Sequence, residues 1–166
     1  MKQLLQQYAV YNLWANSKMR EAINLLSYEQ QHEKITSSFN SLYETVFHVW
    51  GAETIWWNRV AHQKNLIISF KEDKFNGSMN DLCSAWDEID KQWISFVNNI
   101  GEDFLNAKLD YQNMKGDSFS QEGYLILHHL FNHSTYHRGQ MVTMLRQAGA
   151  EKIPNGDFIA WARMGK

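Results

Sequence analysis

Apolar residues recur along most of this chain at three- and four-residue intervals, the spacing that lines one face of an α-helix. From Lys2 to about Leu26, Leu4, Tyr8, Tyr11, Met19 and Ile23 keep that rhythm and predict a first helix. The polar stretch from Tyr28 to Ser38 reads as a connection. Ser41, followed three residues later by Glu44, has the spacing of a capping box and opens a second helix to about His62, with Leu42, Val46, Val49, Trp56 and Val60 on its apolar stripe. Gln63 to Asn76 mixes apolar and charged residues without a period. Ser78 or Asn80 is placed to cap a third helix ending near Asn99, where Gly101 can stop it. From Phe104 to Phe119 the pattern turns to short alternating pieces around Asn113-Met114-Lys115-Gly116-Asp117, an extended loop or small hairpin. Ser118 with Gln121 can cap a fourth helix that runs to about Ala148, and the tail after Pro154 predicts one short helix.

Four long helices with short or moderate connections predict an all-α fold, an antiparallel four-helix bundle with a hairpin-like or extended stretch before the fourth helix. No repeat or low-complexity tract divides the chain, so residues 1–166 read as a single domain, long enough to bury a core. The formal net charge of −2 and the absence of a basic stripe argue against a nucleic-acid surface. Cys83 is the lone cysteine, which excludes an internal disulfide and suits a reducing compartment. The N-terminus has no apolar run of signal-peptide length, and no stretch approaches the length of a membrane span. A cytoplasmic location without a membrane partner is therefore the expectation.

The chemistry concentrates in the fourth helix. His133 and His137 are four residues apart, so a helix sets both imidazoles on one face. At ~100° per residue they fall in the same arc as Ile126, Leu130, Met141 and Met144, the face directed at the core. Burying two polar rings there is unfavourable unless each finds a partner, and a metal ion would satisfy both. His129 extends the ladder by a turn but lies too far from His137 to share one ion, and His128 points away. His32 and His62 read as solvent-facing. His48, mid-way along the second helix beside Val49 and Ala52, is the better third ligand, because bundle metal sites are assembled from facing side chains on different helices.

Asn132-His133-Ser134-Thr135-Tyr136-His137-Arg138-Gly139-Gln140 resembles the signature of the DinB/YfiT-like metalloproteins. Tyr11-Asn12-Leu13-Trp14-Ala15-Asn16 is similar to that family's first-helix motif, and Ser41, Glu44-Thr45, His48, Glu53 and Trp56 to its second-helix motif. The resemblance implies a four-helix bundle, often homodimeric, with the metal triad on His48, His133 and His137. It also implies relatives that are S-transferases or isomerases using low-molecular-weight thiols such as bacillithiol or mycothiol.

Three histidines leave coordination positions open, as in catalytic zinc sites, and suit Zn²⁺ or Ni²⁺. The resulting expectation is a divalent-metal-binding protein acting as a metal-dependent transferase on a small thiol. The alternatives are a metal-dependent hydrolase, a metal or histidine network that only holds helices together, and a small-molecule binding module walled by aromatics. Glu53 is the candidate base for hydrolysis, but five residues from His48 it is rotated well away, and a partner on the helix face is its simpler role. Arg138 reads as a surface salt bridge, with a dimer contact or a counter-charge for an anionic substrate as alternatives. Tyr136 reads as packing beside His137, and Cys83 as a small core residue. Trp56 and Trp57 are adjacent and cannot both face the core, so one belongs to a dimer interface or a cleft wall.

Overall fold

The computed structural model describes residues 1–62 and 73–165; residues 63–72 of the aperiodic stretch lie outside the described set. Its four long helices are α1 (Lys2–Ile23), α3 (Leu42–Ala61), α4 (Met79–Asn99) and α6 (Gly123–Gln147). Short helices α2 (Tyr28–His32), α5 (Glu102–Asn106) and α7 (Phe158–Ala162) and a hairpin of β1 (Lys108–Gln112) and β2 (Ser118–Glu122) complete the described elements.

α1 and α3 each pack against both α4 and α6. Asn24 meets Asn80 and Gln6 meets Asn98, so α1 and α4 run antiparallel. Thr45 meets Met144 and Trp56 meets His129, so α3 and α6 do the same. The bundle is thus two antiparallel pairs side by side, with α1 and α6 running in one direction. Between them lies a core in which Trp86, Trp93, Leu127, Phe131 and Met141 are fully buried. Burial of this kind, at roughly 25 cal/mol per Å² of apolar surface, is the main force holding the helices together. α7 closes one side, where Trp161 and Phe158 pack their rings on Tyr11.

The caps explain where the helices begin, and where the sequence signals mislead. Ser41 Oγ accepts the Glu44 backbone N–H at 3.1 Å, while the Glu44 carboxylate accepts from the Asn40 N–H, one residue beyond a closed capping box. Ser78 and Asp81 do close such a box on α4. So do Ser27 and Gln30, which turn part of the expected polar connection into α2. The expected Ser118–Gln121 cap on the fourth helix is absent, because both residues lie in β2 and pair with β1. At the head of α6 the Gly123 N–H donates instead to the Ala107 carbonyl at 3.0 Å. α6 begins instead at Gly123, where an added Cβ would lie 2.5 Å from the Phe104 carbonyl oxygen. Only glycine permits that approach of α5 to the foot of α6.

Candidate metal centre

His48 projects from α3, and His133 and His137 from successive turns of α6. Nε2 of His48 lies 3.2 Å from Nε2 of His133, and Nε2 of His137 lies 3.1 Å from the same atom. One ligand atom from each ring falls within 4.8 Å of the others. Two nitrogens bound to one tetrahedral ion at about 2.05 Å would stand roughly 3.3 Å apart, so the spacing is that of a shared ion. Hydrogen bonding accounts for it less well, since the single lone pair of His133 Nε2 cannot serve two N–H donors.

The electrostatics favour ligation. Burial lowers His48 to about 4, with His137 nearby adding to the effect. Burial likewise lowers His133 to about 3, reinforced by His137, His48 and His129. His137 is lowered by burial too, with Gln140 opposing. All three rings are therefore neutral at neutral pH, the form that binds metal. His137 Nδ1–H donates to Gln140 Oε1 at 2.7 Å, which leaves the Nε2 lone pair for the cluster, and Gln140 in turn donates to Ser38 Oγ. Phe39 stacks on His48 at 4.3 Å between centroids and tilts over His137 at 5.8 Å, so the α2–α3 connection covers one flank of the cluster.

Of the other candidate residues, Tyr136 is 61% exposed and meets the His137 ring edge-on at 5.1 Å. Glu53 is fully buried on the opposite side of α3 from His48 and engages Ser134 Oγ at 2.6 Å. Burial and the nearby Asp90 raise its carboxyl to about 8. Ser134 Oγ donates to Glu53 Oε1, which also accepts from Asn12 Nδ2 at 3.5 Å. The expectation of a surface salt bridge for Arg138 is corrected: the side chain is only 4% exposed. One residue past the core-facing His137, it points at α1, where Asn12 Oδ1 and Asn16 Oδ1 accept from its Nη1 at 2.6 and 2.7 Å. His32, read as solvent-facing, is half-buried, stacked between Tyr28 and Tyr43.

Arg138 belongs to a buried network that the motifs did not disclose. The amide nitrogens of Asn12 and Asn16 both donate to Asp90 Oδ1, and Arg20 Nη1 donates to Asp90 Oδ2 at 2.6 Å. Asp90 is raised by burial, but the Arg20 charge holds it to about 6, so it is ionised at neutral pH. Asn12, Asn16 and Arg20 recur every four residues along α1, and that polar ladder within an apolar face was the readable signal. The network fixes α6 against α1 and α4 directly behind the histidines.

Comparison with known proteins agrees with this architecture. The chain is 29% identical to protein DinB of Bacillus subtilis (strain 168) over 150 residues, which cover 87% of this chain and 86% of that one. Its fold resembles a DinB-like protein of Bacillus subtilis, with a TM-score of 0.69 at 16% identity over 91% of this chain and 98% of that one. A DinB-like protein of Bacillus cereus ATCC 10987 matches with a TM-score of 0.61 at 17% identity, over 85% and 89% of the two chains. The sequence profile of the DinB family matches residues 1–162, and the chain belongs to that family.

Proposed function

We propose that the chain holds one divalent ion, Zn²⁺ or Ni²⁺, on His48, His133 and His137 and transfers a small thiol onto an electrophile. The observation that carries this reading is the convergence of three neutral imidazole nitrogens from two helices at the spacing of a shared ion. When bound, such an ion supplies Lewis acidity, which draws the proton from a coordinated thiol at neutral pH. Gln140 fixes the His137 tautomer, and Phe39 shields one flank of the cluster from water. His48 and His133 are half-buried rather than sealed, which favours an accessible centre over a purely structural one. The position of Glu53, enclosed and bonded to Ser134, disfavours it as a hydrolytic base. A homodimer in a reducing compartment, with Cys83 buried and free, belongs to the same reading.

Cobalt substitution tests it. Added thiol is expected to produce a sulfur-to-Co²⁺ charge-transfer band, and His133→Ala to abolish both the band and conjugation of the thiol to a chromogenic electrophile. A cobalt-loaded protein whose spectrum no thiol alters would contradict the transferase reading.

A further inference from the structure

α3 carries a second polar feature on the face that holds His48. Ala52, Trp56 and Arg59 follow His48 at helical spacing, which places Arg59 about 16 Å further along the axis at ~1.5 Å per residue. The Arg59 guanidinium lies 4.9 Å from the centroid of the Trp56 ring and 5.5 Å from that of Tyr111, clamped between α3 and the hairpin. Trp56 meets His129 edge-on at 5.6 Å, and His129 stands 5.7 Å from His133. A continuous run of rings therefore leads from Arg59 to the histidine cluster.

Arg59 lacks what the other buried arginines have. Arg20 pairs with Asp87 and Asp90, and Arg138 is bonded to Asn12, Asn16 and Thr135. Among the described residues Arg59 makes neither an ion pair nor a hydrogen bond. Of its three nitrogens only Nε is both buried and unbonded, so the terminal pair is open to solvent. Partial burial lowers its pKa, a sign that the cation has lost hydration without a carboxylate to replace it. A guanidinium fork held between two aromatic faces is already ordered, so little further freedom is lost when it takes a planar or tetrahedral oxyanion.

We propose that Arg59, walled by Trp56 and Tyr111, is an anion subsite that takes the carboxylate or phosphate end of a small molecule whose other end reaches His48, His133 and His137. The substrate class is thus an elongated, acidic small molecule. The bridging half rests on the metal reading above; anion binding at Arg59 does not.

The two halves separate in one experiment on the full chain. The Arg59 Nε–Hε NMR resonance, assigned by its absence from Arg59→Gln, is followed as inorganic phosphate or succinate is added at constant ionic strength, first without metal. A saturable shift is expected with at least one probe; the probe that produces it identifies the anion. Read in all three proteins from the indole N–H resonance of Trp56, which walls the site, affinity should fall at least tenfold in Arg59→Gln and be partly kept in Arg59→Lys. A shift that chloride reproduces, equal binding by the Gln variant, or a resonance that moves only with protein concentration would overturn the anion subsite. With Zn²⁺ added, glutathione is expected to bind at least tenfold more tightly than its S-methyl derivative while still moving the Arg59 signal. Equal affinities would overturn the bridge and leave the metal-free result standing.

Discussion

At the residue scale, the buried polar groups behind the histidines set the most specific expectations. Glu53 holds a proton in the folded state, with its pKa raised from 4.5 to about 8, whereas the unfolded carboxyl releases it above about 4.5. The folded state then binds more protons than the unfolded, so this contribution is full below pH 4.5 and is lost as pH rises towards 8. Asp90 acts in the same sense only up to about 6. His48 and His133 act oppositely, destabilising as pH falls below 6.5. Between pH 6.5 and 8 Glu53 therefore stands apart. Urea unfolding of metal-free protein in that window should show wild-type stability declining relative to Glu53→Gln, and parallel curves would contradict a neutral Glu53. Arg138→Met removes the partner of two buried amide oxygens and a charge facing Asp90. Leaving a buried acceptor without its donor costs about 1–3 kcal/mol for each such oxygen; a total shift below about 1 kcal/mol would show the network to be slack.

At the element scale, the junction between the hairpin and α6 sets the direction from which the histidines approach. Gly123→Ala drives a Cβ against the Phe104 carbonyl, a backbone atom that cannot rotate aside. Overpacking of this kind is expected to destabilise by about 1–3 kcal/mol in chemical denaturation, and an unchanged midpoint would refute the close approach. This junction also marks the limit of what the sequence disclosed. The long helices were legible because their apolar faces agree with helical period and tertiary packing alike. Ser118 and Gln121 carry a local cap signal that pairing with β1 overrides, and pairing is a non-local fact. His133 and His137 were legible from spacing, and His48 from facing-helix geometry. Arg59, Phe39 and Gln140 were not, because their roles depend on which element lies opposite. The burial of Arg138 was concealed for the same reason: Asn12 and Asn16, more than a hundred residues away, provide its environment.

At the scale of the whole molecule, an ion shared by α3 and α6 would tie the two helices of one antiparallel pair. Binding to the folded state alone stabilises it by about 2.7 kcal/mol at a free ion concentration one hundred times Kd. Chelation should therefore lower the unfolding temperature of the wild type and leave His133→Ala unchanged, as followed by thermal melting monitored by circular dichroism. The most direct test of the central claim is elemental analysis of untagged protein beside His48→Ala. About one divalent ion per chain, lost in the variant, is the result the three-histidine centre predicts. Wild-type protein that takes up neither Zn²⁺ nor Ni²⁺ on incubation, or a variant that retains a full complement, would contradict it.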